Sequence, residues 1–418
     1  RASPFVGMHI LSTPTVSKSE PVPHKLNIVA NQVFSTLGYL MVSYSVVQAA
    51  PFNTTETHAI TIADQLRTRT GDAGLSRLDE TTIGIATALP AWQGAQDGQM
   101  RLGISHVTLN AGTPAANALF GTGGSLPAPA QDRQGTALQL EILPTRYIYL
   151  QLGTTPLGYA IEDVTGAVFW RHDQGAHQFK IGAEHRAVTD SVLSYAGTHD
   201  PGTGQLWGGV RQSRLRMAWS TGFAGWGLYA GGGVSRFNGH HVADNRNWEG
   251  SVGSYHLPLT HPAATVVVAT NITAFGYHHN QSLFTYGQGG YFSPQTFRRT
   301  GISASIEGQQ GNFSYFMQAD LGWQKVREDN APWFPLDPSL GNQTSGASAN
   351  QQLGSSGRIS GEYAFSKNGS VGLSATLNRV STFNENTVQA YLRYWFADIK
   401  KPLFTPPRPI LGRDLFNE

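Results

Sequence analysis

The residues that first invite a chemical reading are one acid–serine dipeptide and two histidine pairs. Asp190-Ser191, with His185 and His199 close by in the chain, supplies the residue types of a serine hydrolase. Its flanks, Thr189 and Val192-Leu193, are not the tight glycine-bounded turn that presents a hydrolase nucleophile. His240-His241 and His278-His279 are the paired histidines. A metal site on a strand needs ligands at alternate positions, whereas adjacent side chains point to opposite faces. Both pairs therefore read as solvated rim residues. Cysteine is absent, which removes disulfides, thiol catalysis and thiolate metal sites together. The expectation is no catalytic residue, no metal and no cofactor, so function is sought in non-covalent contacts.

Those contacts depend on strands. In Thr387–Phe396, Val388, Ala390, Leu392, Tyr394 and Phe396 share one side of an extended chain, and Gln389, Tyr391, Arg393 and Trp395 share the other. Aromatics crowd its end, as they do at the water–lipid boundary of membrane barrels. The same period recurs. Phe313, Tyr315, Met317 and Leu321 oppose Ser314, Phe316, Gln318 and Asp320; Ile359, Tyr363 and Phe365 oppose Arg358, Ser360 and Glu362. Phe179, Ile181 and Ala183 oppose Lys180, Gly182 and Glu184. About sixteen such segments are counted, with Ala137–Gly153 reading either as one bent strand or as two around Pro144. Short turns such as Gln309–Asn312 and Ser366–Gly369 alternate with long loops at 112–135, 195–206 and 327–354. The fold class expected is all-β, a transmembrane antiparallel barrel with long loops at one rim, in the bacterial outer membrane.

Composition agrees. Of 418 residues 48 are Gly, 11% are aromatic and only 13% charged, against about a quarter in soluble domains. Lys+Arg 29 against Asp+Glu 27 leaves a net charge of +2 and implies no nucleic-acid partner. Residues 1–59 read as a signal-like or linker segment. Val47-Gln48-Ala49 has the small residues of a cleavage site, and a membrane anchor is the competing reading. Residues 60–397 form the barrel. Residues 398–418, with Pro402, Pro406, Pro407 and Pro409, form an extended tail unsuited to sheet pairing.

Four stretches are more particular: Gly74–Leu78, Gly153–Tyr159, Thr189–Gly197 and Tyr286–Gln295. From about Arg67 to Phe396 the chain resembles, in order, the C-terminal outer-membrane domain of the bacterial cellulose synthase operon protein C family. The run Gly287-Gln288-Gly289-Gly290-Tyr291-Phe292-Ser293-Pro294-Gln295 is its most specific piece. The resemblance implies a sixteen-stranded barrel that exports cellulose, a β-1,4-glucan, to the cell surface. Its partners would be the glucan, outer-membrane lipid, a periplasmic tetratricopeptide-repeat scaffold and the inner-membrane cellulose synthase. Full-length members carry that repeat array before the barrel. None is seen in these 418 residues, which implies a fragment or a variant without the scaffold.

A moving polysaccharide needs many weak, similar contacts. Aromatic faces stack on sugar rings while carboxylates, amides and Arg bond the hydroxyls. Tyr391, Trp395, Arg393, Phe316, Gln318, Asp320, Arg358, Glu362, Glu184 and Arg186 are the expected path residues. For each the competing reading is a charge or ring satisfied by its lumen neighbours. Gly287, Gly289, Gly290, Tyr291, Phe292, Ser293, Pro294 and Gln295 are expected to shape a gate or, equally, a plain turn. A general porin or an exporter of another polysaccharide, such as an amino-sugar polymer, is the alternative function. A basic constriction ring would favour an anion porin, and a Ser–His–Asp cluster on the lipid-facing wall would favour an enzyme.

Overall fold

The computed structural model describes residues 58–91, 98–116, 118–123, 128–145, 147–261, 263–379 and 384–396. The signal-like segment up to residue 57 and the tail from 398 lie outside the described residues.

Alternation of apolar and polar residues folds the chain into β1 (Ala59–Arg69), β2 (Leu78–Pro90), β3 (Gln99–Gly112), β4 (Gln131–Thr145), β5 (Ile148–Thr154), β6 (Val164–Gln174) and β7 (His177–Ala187). A five-residue helix α1 (Val192–Ala196) and a two-residue strand β8 (Thr198–His199) follow. Then come β9 (Leu206–Phe223), β10 (Trp226–His240), β11 (Val242–His261), β12 (Ala264–Tyr277), β13 (Thr296–Gln310), β14 (Phe313–Glu328), β15 (Ser348–Ala364), β16 (Gly369–Arg379) and β17 (Asn384–Trp395). Each strand pairs antiparallel with the next, β7 pairs with β9, and β17 closes on β1. Sixteen strands thus make a closed barrel, with β8 as a side pair on β9. Closure leaves no sheet edge unpaired, the condition for a sheet to cross a bilayer. The ambiguity around Pro144 resolves as two strands, β4 and β5, joined at residues 146–147.

The period of two sorts the faces. On β17, Val388, Ala390, Leu392, Tyr394 and Phe396 point outward and are exposed, while Gln389, Tyr391, Arg393 and Trp395 are buried on the inner side. Around the outer wall the exposed residues are apolar, among them Ile62, Leu102, Leu215, Ile302 and Leu373. Phe223, Trp226, Phe313, Phe365, Tyr394 and Phe396 gather at one rim, and Trp248 and Trp323 stand near the other. Phe313 and Trp323 lie ten residues apart on β14. At about 3.3 Å per residue and a tilt of about 40°, that spacing is about 25 Å, the height of a barrel's apolar band. A carboxylate interrupts the band at Asp64, exposed in the middle of β1 between Ala390 and Ile83.

The rims differ. One carries tight turns, such as Ala224-Gly225, where both residues have positive φ (48° and 80°) as a two-residue hairpin requires. It also holds the start of β1 and the end of β17. The other carries the connections 113–130, 155–163, 188–205, 278–295 and 329–347. In outer-membrane barrels the short turns face the periplasm and the long loops the outside.

Candidate functional site

The inner wall is built from the polar phase of each strand, and its charges pair with one another. Glu184 on β7 meets Arg186 (Nε–Oε2 2.9 Å), Arg216 (Nη2–Oε1 3.1 Å) and Arg214 (Nη1–Oε1 3.5 Å). Arg214 also donates through Nε to Glu249 at 3.0 Å. Asp320 pairs with Arg299, and Arg67 bridges Glu80 (3.1 Å) and Glu385 (3.0 Å). Removing one partner from such a buried set leaves a desolvated charge, so the networks hold the wall rigid as units.

Aromatic rings line the inner wall in several places: Tyr149 stacks on Phe169 (5.7 Å) across β5 and β6, Tyr229 and Tyr255 are buried on β10 and β11, and the rings expected from the sequence lie on the β14–β17 side. The Arg393 guanidinium sits over both the Tyr391 ring (5.7 Å) and the Trp395 ring (5.6 Å), and its Nε donates to Thr61 at 3.1 Å. Tyr391 donates to Glu362 at 2.8 Å, and Arg358 lies 5.5 Å from the Phe316 ring. Tyr391 lies flat across Gly372, where a Cβ would come within 2.0 Å of Cζ. That glycine is a slot for the ring. Gln318 stands opposite Arg358 in the ladder. The wall thus joins Tyr391, Trp395, Arg393, Phe316, Gln318, Arg358 and Glu362, with Asp320 beside them on β14. Glu184 and Arg186 stand across the lumen, since β7 lies seven strands round from β17 (β1 to β6 intervene). Sequence reasoning missed the partners Arg214, Arg216, Glu249 and Arg299. The alternation Arg214-Leu215-Arg216-Met217 on β9 carried a signal for the first two.

At the long-loop rim the mouth is crossed by packed chain. Loop 188–205 leaves β7 and reaches β1: Arg67 donates to Thr189 O (3.2 Å) and Arg69 to Asp190 O (3.1 Å). Against it lies loop 278–295, buried over nearly its whole length. Ser191 caps α1 by accepting from Ser194 N and donates to Gly290 O at 2.8 Å. The Asp190 carboxylate accepts the Phe292 amide at 3.0 Å. Asn245 donates to the Tyr291 hydroxyl (3.1 Å), Trp207 to Gln288 O (2.8 Å) and the Gln281 amide to Ser293 Oγ (2.6 Å). Gly287 O accepts from Ala243, Pro294 O from Tyr277, and Gln295 Oε1 from Asp329 N. Phe292 and Tyr291 join Leu193, Trp207, Phe237, Phe275 and Phe297 in one apolar cluster. Gly290 has φ 63°, and a Cβ there would stand 2.9 Å from the Phe284 ring, so both conformation and space demand glycine. Gly289, likewise, lies close under the Tyr291 ring. Burial pushes the Asp190 carboxyl above its usual range, against the pull of Arg69 and the Phe292 amide. The Tyr291 phenol is pushed well up by burial.

Two facts bear on the hydrolase reading that the sequence did not favour. Ser191 is a buried helix cap, engaged with Gly290 and Ser194. On the outer wall His185 Nδ1 does lie 2.8 Å from Ser213 Oγ, with Asp163 3.9 Å from Nε2. A hydrolytic triad uses the opposite nitrogens, and here Asp163 sits nearer Arg211 (3.3 Å) than the histidine. The arrangement is a polar cluster rather than a charge-aligned triad. The histidine pairs need one correction: His278 and His279 do not point apart, but stand with Nδ1 and Nε2 2.8 Å from each other. They follow the end of β12, where strand alternation no longer applies. Among the described residues no group of three or more His, Asp or Glu could hold a metal.

The family model described as cellulose synthase operon protein C C-terminus matches residues 76–397, from just before β2 to just past β17. Cellulose synthase operon protein C of Pseudomonas fluorescens (strain SBW25) is 30% identical over 354 residues, covering 82% of this chain and 27% of its own length. Cellulose synthase 2 operon protein C of Komagataeibacter xylinus is 34% identical over 297 residues, covering 68% of this chain and 22% of its own. The chain thus spans about a quarter of the length of these relatives. A solved structure titled bacterial polysaccharide outer membrane secretin has a TM-score of 0.49 at 10% identity, covering 82% of this chain and 100% of that one. On the family match across its barrel, this chain belongs to the C-terminal domain family of cellulose synthase operon protein C.

Proposed function

We propose that this outer-membrane barrel conducts nascent cellulose from the periplasm to the cell surface, with loop 278–295 as the gate at the outer mouth. The observation that carries the proposal is the inner wall in a chain of this family: aromatic rings beside Arg393 on one side and, across the lumen, side chains whose charges pair among themselves. A wall without a surplus of one sign offers a neutral polymer many contacts of similar, modest strength. An anion porin would want a basic ring instead. Tyr391, Trp395, Arg393, Phe316, Gln318, Asp320, Arg358, Glu362, Glu184 and Arg186 line the path in this reading. Transport is passive, driven by synthesis at the inner membrane, with a periplasmic repeat scaffold and the cellulose synthase delivering the chain.

The test is complementation. A cellulose-producing strain whose own barrel domain is replaced by this chain, joined to the strain's periplasmic repeats, should show cellulose at its surface by dye binding. A folded, surface-located barrel with glucan retained inside the cell would contradict the proposal.

A further inference from the structure

The outer wall carries a feature that export does not use. At the long-loop end, outward residues of four strands line up in one ladder row. His185 pairs with Ser213, Ser213 with Arg236, and Arg236 with Arg246. His278, just past β12, continues the row by donating its amide to Arg246 O at 2.9 Å. One row nearer the membrane centre the residues turn apolar or small: Ala183, Leu215, Val234, Trp248 and Gly276. The two rows bound a recess of about 1420 Å³ on the barrel's outside. Small residues make its floor, and Leu215, Val234 and Trp248 its wall on the side toward the membrane centre.

Position gives the recess its meaning. Trp248 and Trp323 stand near the long-loop rim. Because strands tilt by about 40° and sit about 4.8 Å apart, a ladder row shifts by about 3 Å in height per strand. Counted this way, Trp248 and Trp323 come out level to within about 1 Å, which fixes the interface. Arg236 and Arg246 then lie about 2 Å and about 5 Å above that level, where headgroups begin. Arg298 and Lys325, exposed and outward on β13 and β14, fall in the same zone. The acids lining the recess are Asp244, which pairs with Arg236 at 2.8 Å, and Glu184, whose carboxylate turns inward to Arg214 and Arg216. Arg246 adds a positive charge that neither acid balances. The β1–β3 wall at this height presents Thr68, Thr81, Thr108 and the ion-paired Asp79 instead.

We propose that the recess holds one phosphorylated glycolipid of the outer leaflet, its phosphate on Arg246 and Arg236 and its acyl chains along Leu215, Val234 and Trp248. An apolar floor below a cationic row at headgroup height matches an anionic amphiphile: it would bury its chains and satisfy the row's excess charge. Lipid seated there would grip the wall directly behind Asn245 and Asn247, inner residues of the same β11 segment whose neighbours hold the gate loop.

Native mass spectrometry of the whole purified chain tests this, with lipid A, its dephosphorylated form, and no added lipid. One lipid A should remain bound to the wild type. At roughly fivefold per exposed Arg, Arg236→Gln with Arg246→Gln should lower its retention about twenty-five-fold. Arg77→Gln, exposed at the same rim away from the recess, should leave retention unchanged. Heat-modifiable migration confirms that each variant is folded. Equal retention of phosphorylated and dephosphorylated lipid, or equal retention by the double variant, overturns the proposal. So does a lipid-free dimer that the double variant dissociates, which would make the recess a contact between copies of this chain.

Discussion

Phe292→Ala is the perturbation that bears most directly on the gate. The ring is fully buried and meets Phe275 edge-on at 6.3 Å, while its own amide is held by Asp190 at 3.0 Å. Truncating a buried Phe costs about 3–5 kcal/mol. Loop 278–295 lies outside the strand ladder, so the cost falls on docking of the loop rather than on barrel closure. At about 1.4 kcal/mol per factor of ten, the undocked population rises by roughly two to three and a half orders of magnitude. Asp190→Ala attacks the same docking from the other side, by leaving the Phe292 amide unsatisfied, at about 1–3 kcal/mol. Single-channel recording in a planar bilayer reads the effect as open time, and heat-modifiable migration on gels reports whether the barrel is intact. A normally folded Phe292→Ala barrel with unchanged open time would refute the assignment of this loop as the gate.

Further outcomes follow from neighbouring features. The Asp190 carboxyl is raised by burial, so the docked loop binds its proton more tightly than the undocked loop does. Docking therefore weakens as pH rises from the ordinary carboxylate range through the raised value, and strengthens as pH falls; Asp190→Asn should flatten that slope in open time. Gly372→Ala puts a methyl group into the slot of the Tyr391 ring and should cost about 1–3 kcal/mol in denaturant unfolding of the reconstituted barrel; an unchanged midpoint would show that the ring moves freely. Asp64→Leu removes the charge from the lipid-facing band and should stabilise the barrel by about 1–2 kcal/mol in the same assay, whereas a loss of stability would mean that Asp64 has a partner in the membrane.

The barrel was legible because a strand writes its two faces into alternate residues. Tyr391, Arg393 and Trp395 face inward as their spacing implies, and so do Phe316, Asp320 and Glu362. What pairs with them was not legible, since strand register and distance round the ring leave no local trace. Glu184 meets Arg214 and Arg216 across a connection that contains α1 and β8, and Asp320 meets Arg299 across the β13–β14 hairpin. Loop 278–295 was visible as a glycine-rich run, but its core was not: Phe284, Tyr291 and Phe292 follow no period because the loop is irregular chain, whose rings meet partners distant in sequence such as Phe237, Phe275 and Tyr277. The outer recess escaped for the same reason. His185, Arg236 and Arg246 come from three strands, and only the ladder brings them into one row.

The central claim is that the lumen passes glucan, and conductance of the Phe292→Ala barrel in a planar bilayer tests it most directly. Soluble cello-oligosaccharides should block the current in a length-dependent way, while amino-sugar oligomers of equal length should not. A steady current indifferent to both sugars would contradict the claim and leave a pore without selectivity for the polymer.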